Sequence, residues 1–110
     1  MKTDTIHRII NNKAVLRFQA EAICEESHIH DHDDPHLVTC TKGAIRIVLY
    51  SPGENWNPVS PEHHLTAGET FIVPAKVNHS VKAETADSEW ECSFDEGTRI
   101  YQYAAAAAGK

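Results

Sequence analysis

The stretch from residue 28 to residue 36 reads HIHDHDDPH, which places four histidines within nine residues. The whole chain of 110 residues has 8 histidines, so half of them lie in this short run. Alternate residues of a strand point to the same face, so His30 and His32 face the same way if the run is extended. His36 follows a turn at residues 33–35 and returns on the next strand. Because neutral imidazole is a common ligand of transition metals, the run predicts a metal site rather than a solvated loop.

Short runs with β-branched residues surround the histidines and are separated by glycine, proline, asparagine and aspartate. Strands are predicted at Thr5–Ile10, Ala14–Ala20, His28–His32, His36–Thr41, Ala44–Tyr50, Glu62–Leu65, Thr70–Val73, His79–Ala83, Glu89–Phe94 and Arg99–Tyr103. This pattern is typical of an all-β sandwich or barrel. The alanine run over residues 104–108 cannot anchor itself, so residues 104–110 are predicted to be a disordered tail.

The histidine spacing resembles the first sequence motif of the cupin superfamily, G-x5-H-x-H-x3/4-E-x6-G. Here His30-x-His32-x3-His36-x6-Gly43 has the same intervals. The second cupin motif, G-x5-P-x-G-x2-H-x3-N, is similar to Gly68-x5-Pro74-x-Lys76-x2-His79. Both motifs occur in order, and together they cover residues 24–83. The resemblance implies a single all-β domain over residues 1–103, folded as a cupin-type jelly-roll β-barrel.

The chain departs from the family pattern at three positions that matter. Cys24 stands at the first glycine of the first motif, Lys76 stands at the second glycine of the second motif, and His36 replaces the usual glutamate. The resemblance therefore implies a four-histidine metal site made by His30, His32, His36 and His79. An alternative register uses His28, His30 and Asp34, but it places Gly43 too far along the chain.

A site of this kind implies one divalent metal ion per chain, and imidazole ligands do not distinguish Fe, Zn, Ni, Cu and Mn. Open coordination positions permit Lewis-acid activation or oxygen binding. The resemblance thus implies a metal-dependent enzyme of the dioxygenase, isomerase or lyase type. We expect a small oxygen-chelating substrate, and an anionic one because neutral histidines leave the ion its full charge. The alternative is a non-catalytic small-molecule or metal sensor.

Strand parity predicts which residues share the barrel interior with the histidines. Val38 and Cys40 lie on the face of His36, and Val81 and Ala83 lie on the face of His79. The same argument gives a largely apolar interior with few polar side chains to hold a substrate. The candidate substrate contacts are Arg46, Tyr50, Arg99 and Tyr101, with Tyr103 as a further aromatic candidate.

Charge and cysteine content exclude several classes of function. The chain has 10 Lys and Arg against 16 Asp and Glu, a net charge of −6, which argues against nucleic-acid or anionic-membrane partners. The polar start of the sequence predicts no signal peptide and a cytoplasmic location.

The odd count of 3 cysteines predicts free thiols. A homodimer is expected for so small a barrel, with Thr5–Ile10 as the candidate for edge pairing.

Overall fold

The computed structural model describes residues 2–3, 8–27, 34–50 and 58–108. Within these ranges the chain forms strands that account for most of its regular structure, followed by one helix. The elements are β1 Lys2–Thr3, β2 Arg8–Ile10, β3 Lys13–Ala20, β4 His36–Lys42, β5 Ala44–Tyr50, β6 Pro58–Thr66, β7 Thr70–Val73, β8 His79–Ala83, β9 Ser88–Asp95 and α1 Arg99–Ala108.

The strands form two antiparallel sheets. The larger sheet has the order β1-β3-β9-β4-β7, with β2 also paired to β3, and the smaller sheet has the order β6-β5-β8. Along the chain β4 joins the larger sheet, β5 and β6 the smaller, β7 the larger, β8 the smaller and β9 the larger. This repeated crossing between two facing sheets is the connectivity of a jelly roll. The prediction of an all-β fold is confirmed.

The hairpin between β2 and β3 shows how local sequence sets the start of the larger sheet. Ile10 pairs with Lys13, and the intervening Asn11 and Asn12 have φ angles of 51° and 61°. Two consecutive left-handed residues make a type I′ turn, in which asparagine is favoured. The described parts of the predicted strand Thr5–Ile10 therefore pair with β3 of the same chain.

The core lies between the two sheets and follows the predicted alternation of side chains. Nine apolar residues at inner positions of β4, β5, β8 and β9 are at most 7% exposed: Val38, Cys40, Ile45, Ile47, Val81, Ala83, Trp90, Cys92 and Phe94. Leu49 of β5 is partly buried on the same face. The parity prediction for these strands is confirmed. Three polar residues interrupt this apolar interior on the same faces, His36 on β4, His79 on β8 and Ser88 on β9.

The glycine positions of the two motifs share one backbone conformation. Gly43 and Gly68 have φ angles of 73° and 94°. Cys24 and Lys76, which stand where the family pattern has glycine, also have positive φ, at 71° and 60°. An L-residue pays a steric cost in this region because its Cβ approaches the carbonyl oxygen. The backbone has therefore kept the turns of both motifs even where the glycine is missing.

The C-terminal element differs from the prediction, because residues 99–108 form α1 rather than a strand and a tail. The strand predicted at Arg99–Tyr103 is wrong. Thr98 caps the helix, since its Oγ1 accepts a hydrogen bond from the Tyr101 backbone N–H at 3.2 Å. Ala104 is fully buried, while Ile100 and Tyr101 pack against the core. Alanine has the highest helix propensity, and its small side chain lets the helix approach the sheet closely.

No helix in the described part of the chain is long and apolar enough to cross a membrane. The predicted strand at His28–His32 lies outside the described residues.

Candidate metal centre

His36 and His79 come together between the two sheets. Each is the first residue of its strand, His36 in the larger sheet and His79 in the smaller. They are 4% and 1% exposed, and the centroids of their rings are 5.1 Å apart with planes tilted by 47°. Two of the four predicted ligands therefore meet at one end of the barrel, each supplied by a different sheet.

The imidazole of His79 is oriented by a backbone carbonyl. Its Nδ1 lies 2.9 Å from the carbonyl oxygen of Val77. A carbonyl oxygen only accepts hydrogen bonds, so Nδ1 carries the proton and donates. The other ring nitrogen, Nε2, then keeps its lone pair in the neutral tautomer. This arrangement is the usual support for a metal-bound histidine, in which the second nitrogen is held by a carbonyl or carboxylate.

The imidazole of His36 lies among apolar side chains. Its ring stacks on that of Phe94, with centroids 4.7 Å apart and an interplanar angle of 16°. On its other side in the sheet, His36 pairs with Val73 of β7, which is fully buried. These neighbours hold the ring in place and exclude water from its flanks.

Both ends of the histidine-rich run are fixed by described residues. On one side, residues 24–27 follow the edge of β8, because the Ser27 backbone N–H donates to the Val81 carbonyl at 2.9 Å and Ser27 Oγ accepts from the Val81 N–H at 2.9 Å. On the other side, β4 begins at His36. The described residues on the two sides of the run therefore lie beside β8, which carries His79, and at the start of β4, which carries His36. His30 and His32 themselves lie outside the described residues.

The part of the centre that the structure describes fits a divalent transition metal. Imidazole nitrogen is a preferred donor for such ions, and the pair is buried and partly pre-oriented. Among the residues that the structure describes, no group of three or more His, Cys, Asp and Glu could hold an ion. That is the expected result when two of the four predicted ligands fall in the undescribed run.

Two of the candidate substrate contacts face away from this centre. On β5, Leu49 pairs with His79 and shares its inner face, whereas Arg46 pairs with Lys82 on the outer face. The Arg46 guanidinium lies 3.4 Å from the Glu62 carboxylate. Tyr50 is also on the outer face, and its hydroxyl is 3.1 Å from Oγ of the buried Ser80. Neither Arg46 nor Tyr50 therefore lines the space beside the two histidines.

The other candidates lie on α1. Arg99 is exposed and begins the helix, and its backbone N–H donates to Oδ2 of Asp34 at 3.1 Å. Asp34 precedes His36 by two residues, so the start of α1 is close to the start of β4. Tyr101 is half-buried against the core, and Tyr103 is 70% exposed. The contact with Asp34 therefore places the first residue of α1 near the start of β4.

Sequence reasoning missed two contacts of the centre, the Val77 carbonyl that orients His79 and the Phe94 ring against His36. It named Asp34 as a ligand of the alternative register and did not predict its contact with α1. Parity placed Phe94 on the inner face, but the pairing of β4 with β9 that brings it to His36 is not visible in the sequence. The proline at position 35 next to Asp34 was the one available signal of a fixed turn.

Comparisons with protein-family models and with curated proteins give no match. Among solved structures, the chain is similar to oxalate decarboxylase from Bacillus subtilis, with a TM-score of 0.62 and 20% identity over 78% of this chain and 22% of that one. A cupin superfamily protein from Desulfitobacterium hafniense has a TM-score of 0.62 and 12% identity over 86% of this chain and 78% of that one. The chain has the cupin fold.

A third solved structure is also similar to this chain. It is a conserved protein of unknown function from Streptococcus pyogenes, with a TM-score of 0.58 and 16% identity over 78% of this chain and 67% of that one. The fold predicted from the two cupin motifs is confirmed. The chain spans about a fifth of the oxalate decarboxylase polypeptide, and identities this low establish the cupin fold alone.

Proposed function

We propose that this cupin binds one divalent transition-metal ion per chain through His30, His32, His36 and His79, and that it acts as an enzyme on a small, anionic, oxygen-chelating molecule. The observation that carries the proposal is the buried pair of His36 and His79, brought from opposite sheets to 5.1 Å between ring centroids. Two buried imidazoles beside each other supply the kind of nitrogen donor that divalent transition metals prefer.

The backbone conformation supports the alignment with both cupin motifs. All four glycine positions of the motifs have positive φ in this chain, including the two occupied by Cys24 and Lys76. The alternative ligand register with Asp34 is less favoured, because an oxygen of the Asp34 carboxylate accepts a hydrogen bond from α1. His36 lies beside His79 instead.

A bound divalent ion would supply Lewis-acid activation of an oxygen ligand, and redox chemistry where the metal permits it. The residues of the chain supply the surroundings. The Val77 carbonyl orients His79, and Phe94 and Val73 exclude water beside His36. In a site with little water, charges interact more strongly than in solvent, which favours an anionic ligand. The similar oxalate decarboxylase has Mn(II) centres, and oxalate is a small dianion, which agrees with this substrate class.

Metal titration of untagged protein tests the site. After removal of bound metal, calorimetry with Mn²⁺ and Zn²⁺ is expected to give one ion per chain. His79→Ala is expected to lower the affinity at least about ten-fold, because even changes beyond the ligands have effects of this size. His64→Ala is the matched control, because His64 is an exposed histidine on β6 that contacts Glu84. Equal affinities of the two variants would contradict the site.

Turnover separates catalysis from sensing. The metal-loaded protein is incubated with small carboxylates and β-dicarbonyl compounds, and the products are analysed by chromatography. Metal-dependent product formation supports the enzyme. Saturable binding of one of these compounds without turnover would instead support the non-catalytic binding module.

A further inference from the structure

Asp34 joins the metal centre to α1. Its Oδ2 accepts a hydrogen bond from the backbone N–H of Arg99, the first residue of the helix, at 3.1 Å. The first turn of α1 has no acidic residue of its own. A carboxylate is favoured at a helix N-terminus, where backbone N–H groups are unpaired and the helix dipole is positive. Asp34 supplies this carboxylate from a position 65 residues away in the sequence.

The connection from Asp34 to the predicted ligand His36 is short and stiff. Only Pro35 separates the two residues. Its ring fixes its own φ angle and restricts the backbone of the residue before it. A displacement of the Asp34 backbone is therefore passed to the start of β4, where the imidazole of His36 begins the strand.

A second contact path links α1 to the same histidine. Ala104 is fully buried in the core cluster that also contains Phe94, and Ile100 and Tyr101 pack against this cluster. The ring of Phe94 stacks on His36. The helix thus approaches the centre through a polar contact at Asp34 and through the core cluster that contains Phe94.

We propose that α1 and the metal centre stabilise each other, with Asp34 as the positioning residue that couples them. This inference rests on the proposed function, since it requires a metal ion at the histidines. Docking of α1 holds Asp34 and the start of β4, which pre-organises His36 for the ion. By thermodynamic linkage, the factor by which a docked α1 raises metal affinity equals the factor by which metal stabilises the docked helix.

Hydrogen exchange of the α1 amides, measured by mass spectrometry with and without Mn²⁺ or Zn²⁺, reports how much metal stabilises the docked helix. Calorimetry measures the metal affinity. In the wild type, saturating metal is expected to slow exchange in α1 about five-fold, the low end for coupled sites. Asp34→Ala is expected to lower metal affinity by about the same factor and to abolish the effect of metal on α1. Asp34→Asn keeps an acceptor oxygen and is expected to retain most of both effects.

Two further variants keep the test decisive. Glu96→Ala is the matched control, because it removes an exposed acidic residue next to α1 and is expected to leave metal affinity unchanged. Thr98→Ala removes the helix's own cap without touching residues 28–36, so coupling predicts a lower metal affinity for this variant too. It serves as the test of coupling if Asp34→Ala does not fold.

The outcomes separate the two proposals. If the wild type binds metal but exchange in α1 is unchanged, the coupling is wrong and the metal site stands. Equal metal affinities of Asp34→Ala and Glu96→Ala would also overturn the coupling, because Asp34 would then matter no more than any exposed acidic residue next to α1. Failure of the wild type to bind Mn²⁺ and Zn²⁺ overturns the metal site and the coupling together, and the titration itself reveals it.

Discussion

The imidazoles of His36 and His79 lie 5.1 Å apart, although one belongs to the six-stranded sheet and the other to the three-stranded sheet. Their separation therefore depends on how the two sheets face each other. The packing of the apolar core sets that distance, since inner residues of both sheets interdigitate between them. A ligand pair placed in this way is sensitive to core packing and to the elements that close the barrel end.

Changing the charge of the metal-binding residues is expected to change which small molecules the metal centre prefers. His36→Glu restores the commoner cupin pattern, so the variant should retain the metal while lowering the net charge of the centre by one unit. The metal-loaded wild type is expected to prefer a dicarboxylate to a neutral analogue of similar shape, and this preference should shrink in the variant. Competition binding of the dicarboxylate against the neutral analogue measures this preference in the wild type and in the variant.

His36→Gln is the control for this substitution, because it has the shape of glutamate without the charge. Equal binding of neutral and anionic ligands by the wild type would defeat the electrostatic argument.

Replacing Lys76 with glycine is expected to stabilise the protein. Lys76 is exposed and has a φ angle of 60°, a conformation in which an L-residue costs roughly 1 kcal/mol more than glycine. We expect Lys76→Gly to raise the free energy of unfolding by about 0.5–1 kcal/mol, measured by urea denaturation. Lys42→Gly makes the same change at the last residue of β4, which pairs with Glu89, and should lower stability because glycine weakens a strand. A loss of stability in both variants would contradict the strain at Lys76.

Gly43 is expected to tolerate no side chain. A Cβ at this position would lie 2.6 Å from Oγ1 of Thr85 and 2.7 Å from Oγ of Ser88, and the φ angle of 73° is strained for any other residue. Ser88 is fully buried, and its hydroxyl donates to nearby carbonyls, so it has little room to move. Gly43→Ala should therefore lower the free energy of unfolding by about 1–3 kcal/mol.

Gly97→Ala provides the comparison, since a Cβ at Gly97 meets no atom within 4 Å. Its effect on the denaturation midpoint should be close to zero, within about 0.5 kcal/mol. Similar losses in the two variants would show that the close approach at Gly43 does not matter.

The three thiols are expected to differ in reactivity. Cys24 is exposed, whereas burial raises the pKa of Cys40 and raises that of Cys92 to about 12. The thiolate is the reactive form, so iodoacetamide at neutral pH should label only Cys24 in the native protein and all three thiols after denaturation. Mass spectrometry counts the labels, and Cys24→Ser should show none in the native state. Native labelling of Cys92 would contradict its burial.

The raised pKa values of Cys40 and Cys92 predict how the free energy of unfolding changes with pH. Below the ordinary thiol pKa of about 8.5 the buried thiols are neutral in both states. Above it, the unfolded chain loses the protons of Cys40 and Cys92 while the folded chain keeps them. The free energy of unfolding should therefore fall as pH rises from about 8.5 towards 12. Denaturation midpoints of wild type and Cys92→Ala, compared at neutral and alkaline pH, measure this contribution.

Strand positions were predictable to within a few residues, and the reason is local. The alternation of apolar residues in Ala44–Tyr50 and His79–Ala83 has the period of a strand, and the structure begins and ends both strands at these residues. The segment from Arg99 lacks such an alternation, although it contains Ile100, Tyr101 and Tyr103, which are residue types common in strands. It becomes a helix because Thr98 and Asp34 cap it and the core receives Ala104.

Most of the strands, their inner faces and the intervals of the two histidine motifs could be predicted from the amino-acid sequence, because each depends on residues close together in the chain. Long-range packing places His36 beside His79, turns Arg46 and Tyr50 outward, and brings Asp34 to the start of α1. These relationships depend on which distant strands pair and in which register. Side-chain periodicity within one strand contains no information about that choice, which the packing of the whole core makes.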